Sequence, residues 1–360
     1  MGSSTSSSPP ATRCMRSRCI RNALVVAALS IAPACIARLD GQLIFVSDET
    51  GGRVIVIQPG DGAVLATIPV GKRPRGLRVL KDGHRMLVAL SGSPIAGPGV
   101  DEKTLPPADR SADGIGVLDL ASRKVTRVIP SGQDPESFAL SPDEKTIYVS
   151  NEETAEMSAV DLESGAIRGR VHVGEEPEGV TVSPDGRFVY VTCEGDNAVV
   201  AVDTGTLAAV ATIATPARPR AVVFTPDGRE AFVTTENGGA VAVVDATSHR
   251  ATATIAMPRG ASAPTPPRPM GAVLSPDGKS LFVSNGRAKS VAVIDVASHR
   301  VARVFDDVGT RPWGIGISAD GRTIYTANGP SGDVSFIDAA TGQVTRKVAV
   351  GGSPWGLVVK

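Results

Sequence analysis

The charged side chains that could act on a ligand gather in seven short segments, each built on a proline: RPRG at 73–76, DPES at 134–137, EPEG at 176–179, RPRA at 218–221, RPMG at 268–271, RPWG at 311–314 and SPWG at 353–356. Equivalent places hold Arg73 and Arg75, Asp134 and Glu136, Glu176 and Glu178, Arg218 and Arg220, Arg268 with Met270, Arg311 with Trp313, and Trp355. Glu49, Glu152, Glu194 and Glu236 recur behind apolar stretches of four units. A carboxylate beside a guanidinium can take a proton from water while the cation holds a developing oxyanion, the chemistry of lactone hydrolysis. In that version Glu136 or Glu178 is the base and Arg75 or Arg220 the electrophilic partner. The main expectation is non-catalytic. Arg and Trp are frequent anchors at binding hot spots, so Arg75, Glu136, Glu178, Arg220, Trp313, Trp355, Glu152 and Glu194 are expected to hold a small molecule or a partner loop. In the plainer alternative, neighbouring units pair these charges, at about 0–1 kcal/mol per exposed pair, and the tryptophans cover an opening.

The elements that carry these residues repeat. The prolines at 74, 135, 177, 219, 269, 312 and 354 are 61, 42, 42, 50, 43 and 42 residues apart, a basal period of 42 with two insertions, at 91–113 and about 258–267. One unit reads as a proline turn, a strand GVTV, a turn SPDG, a strand RFVYVT, a loop CEGDN, a strand AVVAVD, a turn TGTL and a strand AAVATI. Four strands in about 40 residues is the pattern of a β-propeller blade. The chain starts with a blade's second, third and fourth strands (LIFVSD, GRVIVI, AVLATIPV) and stops after a first strand, SPWGLVVK. Pairing the two ends predicts an all-β fold of seven four-stranded antiparallel blades with no open edge. The proline turns and the loops after second strands then share one face, called the top, and both insertions belong to it. Function is expected there, because scaffolds carry it on variable loops. The small residue after each proline turn, such as Gly76, Gly179 or Gly356, suits a strand near a crowded axis.

The units resemble the YVTN-type β-propeller repeat, written here as VYVTC, IYVSN, LFVSN and IYTAN, over residues 40–360. The order of the proline turns is similar to that of exported propellers associated with pyrroloquinoline-quinone-dependent alcohol catabolism. The insertion at 91–113 departs from that pattern. This resemblance implies an accessory to quinone chemistry, with quinoprotein dehydrogenase pathway components as partners. It does not imply a catalyst, because the chain has no CxxCH and no adjacent cysteine pair. Lactonase-type propeller hydrolases share the seven-bladed plan, and a surface structural module is the third alternative.

Composition narrows the classes further. Equal numbers of basic and acidic side chains, 37 each, remove the electrostatic case for nucleic acid. Arg13, Arg16, Arg18 and Arg21 precede an apolar run at 23–32, so residues 1–39 read as a signal peptide, with 1–14 as a mis-assigned start before Met15. The run is too short for a transmembrane anchor, and a periplasmic or secreted monomer is expected. Lipidation at Cys35 is disfavoured, because Ala32-Pro33-Ala34 lacks the usual Leu. Cys193 alone remains beyond that segment, so no internal disulfide is expected. His84, His249 and His299 fall in bottom turns and His172 in an outer strand, which leaves no metal site on the top face, and no cofactor is expected.

Overall fold

The structure is a computed structural model that describes residues 41–95, 104–263 and 265–360. The expected leader at 1–39 lies outside the described residues. None of the described helices is long and apolar enough to cross a membrane. The described strands form seven four-stranded antiparallel sheets. Blade 1 takes its first strand from the carboxyl end: Pro354–Val359 pairs with Ile44–Asp48, with Ile44 opposite Val359 and Val46 opposite Leu357. Blades 2 to 7 begin at Leu77, Pro135, Pro177, Pro219, Pro269 and Pro312 and follow in chain order.

Each second and third strand is apolar on both faces because both faces are covered. In blade 4, Val189, Val191 and Cys193 pack toward blade 3 while Tyr190 packs toward blade 5. The core is therefore seven slabs, one between each pair of neighbouring blades, as Phe45, Val54, Met86 and Val88 show between blades 1 and 2. Outer strands such as Ala208–Ala214 alternate toward solvent. The bottom turns are locked by their own side chains: in SPDG at 183–186, Ser183 donates to Asp185 (2.6 Å), which accepts from the Arg187 N–H (3.1 Å). Aspartates ending third strands, such as Asp203, accept backbone N–H groups in the same manner. These repeated acids are structural.

A second device joins blade to blade near the axis. A hydroxyl on the second strand donates to a first-strand carbonyl of the next blade: Ser47 to Arg75 (2.8 Å), Ser150 to Glu178 (2.6 Å), Thr192 to Arg220 (3.0 Å), Thr234 to Met270 (2.5 Å) and Ser284 to Trp313 (3.0 Å). The same hydroxyls accept N–H groups from their own blade's first strand, as Thr192 does from Gly179 (2.7 Å) and Ser284 from Gly271 (3.0 Å). This approach explains the small residues after the proline turns. A Cβ on Gly179 would lie 2.1 Å from the Arg220 carbonyl oxygen, and one on Gly356 2.4 Å from that of Arg75. Replacing Thr192 by Val keeps the volume but strands the Gly179 N–H and the Arg220 carbonyl. Burying groups without partners costs about 1–3 kcal/mol, so Thr192→Val should lower the unfolding free energy by about that much in urea titrations. An unchanged midpoint would remove the relay from the account.

Candidate functional site

The carbonyls gripped by these hydroxyls belong to Arg75, Glu178, Arg220, Met270 and Trp313, the residues that follow five of the prolines. Their backbone is held from the preceding blade and their side chains spread over the top face. The residues just before five of the prolines, Arg73, Asp134, Glu176, Arg218 and Arg311, have φ between 43° and 61°. A side-chain-bearing residue pays roughly 1–2 kcal/mol for that conformation, so the turn geometry is imposed by the fold around it.

Two ionic clusters result. In the first, Arg75 is 1% exposed and reaches from blade 2 into blade 3, bonding Asp134 (2.7 Å) and Glu136, with Glu152 at 3.9 Å. Arg73 pairs with Glu49 of blade 1 (2.9 Å) and with Asp134 (3.6 Å). The described end of the insertion buttresses this cluster, because Asp113 accepts the Asp134 N–H (3.2 Å) and Arg110 pairs with Glu153 (2.9 Å). Arg75 and Glu136 are thus a buried clasp between blades. Glu152 is different. Burial, together with the Asp134 and Glu178 charges and against the pull of Arg75, pushes its carboxyl up to about 7.

The second cluster straddles blades 4 and 5. Arg220 contacts Glu178, Glu194 (2.5 Å) and Glu236 (2.9 Å), and Arg218 contacts Glu194 (2.6 Å) and Glu236 (3.4 Å). Two guanidiniums face three carboxylates. Burial and the neighbouring Glu178 charge push the Glu194 carboxyl up to about 10, against the pull of Arg220 and Arg218. Burial opposes the Glu178 charge too, but Arg220 and a hydrogen bond from Glu194 outweigh it and lower its pKa.

Opposite these acids stands an aromatic wall. Trp313 and Trp355, the chain's two tryptophans, have ring centroids 6.4 Å apart at 59°, and the Arg311 guanidinium lies 4.8 Å over the Trp313 ring. The Trp313 Nε1 is buried with no hydrogen-bond partner. Glu178, Arg220, Met270, Trp313 and Trp355 share one cavity of about 230 Å³ that runs into the central channel. The structure therefore gathers Glu178, Arg220, Trp313 and Trp355 in one cavity and places Glu194 against Arg220. Glu152 sits at the first cluster, and Arg75 and Glu136 lie in the seam between blades 2 and 3.

The remaining candidates lie apart from this cavity. His249 bonds the Tyr190 hydroxyl (2.7 Å) and His299 pairs with Glu230 (3.2 Å). Cys193 is buried, and burial pushes its thiol up to about 12, as suits a packing residue. Among the described residues no group of acids, histidines and cysteines could hold a metal. One cavity residue escapes a reading centred on the prolines: Arg78, four places after Pro74, where the other blades carry Ala139, Thr181, Val223, Val273, Gly316 and Val358. Aligning the seven first strands displays it as the one charge at that level.

The fold and this mouth define the molecule as a seven-bladed β-propeller with an acid–arginine and tryptophan site at one end of its channel. A family model described as YNCE-like beta-propeller matches residues 141–317, and one described as Choice-of-anchor I domain matches residues 42–215. No curated protein matches the chain. The chain is similar to the periplasmic gluconolactonase of Pseudomonas aeruginosa, with 21% identity, a TM-score of 0.67, and 88% of this chain and 98% of that one covered. It is also similar to a structure of Kuenenia stuttgartiensis hydrazine synthase, with 22% identity, a TM-score of 0.63, and 79% and 88% covered. A functionally unknown protein from Desulfotomaculum acetoxidans has 14% identity, a TM-score of 0.71, and 89% and 99% covered. At these identities the likeness shows the fold.

The clusters make stability depend on pH in a set direction. Glu152 has a folded pKa raised to about 7, so the native state keeps a proton that the unfolded chain releases near pH 4.5. Its contribution is complete below about pH 4.5 and is lost as pH rises through about 7. Glu152→Gln should therefore raise the urea midpoint at pH 8 relative to wild type and leave it unchanged at pH 4. Glu194→Gln, which mimics the protonated acid, should keep wild-type stability at pH 7. Arg220→Met, which strands buried carboxylates, should cost about 3–5 kcal/mol. Equal midpoints for Arg220→Met and wild type would contradict the cluster's role in holding blades 4 and 5.

Proposed function

We propose that the protein is an exported, monomeric binding propeller whose top-face mouth takes a small polar ring compound of the sugar or sugar-lactone class. The observation that carries this reading is the shared cavity, with Trp313 and Trp355 on one side and Glu178 and Arg220 on the other. A ring with an apolar face and hydroxyl edges fits between an aromatic wall and hydrogen-bonding charges. At about 230 Å³ the cavity is smaller than the roughly 300–1,000 Å³ of drug-sized sites, which favours a single ring. A place beside a quinone-dependent oxidation pathway belongs to the same proposal, since oxidation of a cyclic sugar hemiacetal yields a lactone.

A second reading, lactone hydrolysis, is favoured by the proton distribution of the acids, and the likeness to a gluconolactonase is in keeping with it. Glu152, near 7, is tuned to take a proton from water. Glu194 holds a proton to give. Water would add to the acyl carbon, Glu152 would receive its proton, the ring C–O bond would break, and Glu194 would protonate the departing alkoxide. Glu178, with its lowered pKa, is a weaker base than Glu152 in this scheme, and Glu136 is held against Arg75.

Glucono-δ-lactone, followed by the fluorescence of the two tryptophans and by acid release in a pH-stat, tests both readings. Wild type should show a saturable fluorescence change, and Trp313→Ala should bind at least tenfold more weakly. If hydrolysis occurs, Glu152→Gln and Glu194→Gln should each lose on the order of 10²-fold or more of the rate. Saturable binding with only the spontaneous rate would reject hydrolysis and keep the binding reading. No fluorescence response to the lactone or to neutral sugars would reject the pocket.

A further inference from the structure

The cavity continues below the mouth, and its lower wall holds a charge that the two ionic clusters do not use. Three charged residues line it: Glu178, Arg220 and Arg78. The first two belong to the balanced cluster of blades 4 and 5. Arg78 forms no ion pair or hydrogen bond with any described residue. The acid whose field reaches it, Glu144, holds the Lys81 N–H (3.0 and 3.2 Å) in a bottom turn and lies beyond ion-pair distance.

Arg78 lies three residues down the strand from the level of Arg75 and its equivalents Glu178 and Arg220, roughly 10 Å at a rise of about 3.3 Å per residue. Apart from Ser137, Glu178 and Arg220, the lining of the cavity that Arg78 shares is apolar or glycine, with Leu77, Phe138, Ala272, Ile315 and Val358 among it. The Arg78 side chain is exposed to the channel, and the protein around the channel lowers its pKa. A guanidinium presents a planar fork of donors that matches carboxylate and phosphate oxygens.

We propose that Arg78 makes the lower channel a binding site for an oxyanion group, carboxylate or phosphate, at one end of a small ligand whose neutral body fills the mouth. The ligand class is then an acidic or phosphorylated sugar derivative. The assignment of the body rests on the proposed function, whereas the anion site stands on Arg78 alone.

The test separates the two. Inorganic phosphate, D-gluconate and neutral methyl glucoside are titrated by calorimetry into wild type, Arg78→Val and Arg78→Gln. Valine occupies the equivalent place in three other blades, at Val223, Val273 and Val358, so Arg78→Val should fold, and its unfolding midpoint checks this. At least one anion should bind wild type and lose tenfold or more in affinity in both variants, while methyl glucoside binding stays unchanged. Stronger binding of phosphate identifies a phosphate ligand, and stronger binding of gluconate a carboxylate. Wild type that binds neither anion, or variants that bind them as tightly as wild type, would overturn the site. Anion binding that depends on Arg78, with no tryptophan response to glucoside or lactone, would uphold Arg78 and reject the sugar-binding mouth.

Discussion

The close approach of neighbouring blades at the axis governs everything else in this molecule. Where a second-strand hydroxyl donates into the next blade's first strand, the two backbones come so near that the facing residue must be small, as at Gly179 and Gly356. Such hydrogen bonds are buried, and leaving either end without a partner is costly. The seam therefore sets the radius of the ring and the width of its channel. It also sets the direction of the side chains that follow each proline. Arg75, Glu178, Arg220, Met270 and Trp313 converge because their own carbonyls are tied down.

Charge at the seam follows from that convergence. Neighbouring blades present Arg220 to Glu178 and Arg75 to Asp134 and Glu136, with little water between them. Burying a charge is tolerated when its partner is buried with it. The second cluster sets three acids against two cations, and burial with the Glu178 charge raises the pKa of Glu194. A structural need, holding two blades together through buried charge, thus leaves an acid of raised pKa against Arg220, which lines the cavity.

Departures from sevenfold regularity mark the places where the repeat does more than close a ring. Ala89 and Ala327 stand where the other five blades carry the relay hydroxyl, and beside Ala89 the Gly76 N–H meets the Glu136 carbonyl directly at 3.4 Å. Trp313 and Trp355 occupy places that are charged in blades 2 to 5. Arg78 replaces a small or apolar residue. Trp313, Trp355 and Arg78 line one cavity, from the mouth into the channel. The regular aspartates of the bottom turns have hydrogen bonds that account for them fully.

The amino-acid sequence by itself determined the ring. A period of 42 residues, four apolar strands in each period and ends that complement one another admit few closed arrangements, and the observed pairing of Pro354–Val359 with Ile44–Asp48 is the expected one. Local chemistry sufficed there, because turn residues act on their own backbone and alternating strands bury both faces in any propeller. The sequence also named the acids, arginines and tryptophans of the top face, since they flank the prolines. Only the tertiary structure decided their states. Arg75 and Glu136 differ from Arg220 and Glu178 in burial and company, and spacing along the chain cannot report either. That the pKa of Glu194 is raised depends on three acids from two blades meeting two guanidiniums, a count made in space. Burial and charge proximity are properties of the packed ring, and these, more than the residue types, determine which groups stay closed in the seam and which face the channel.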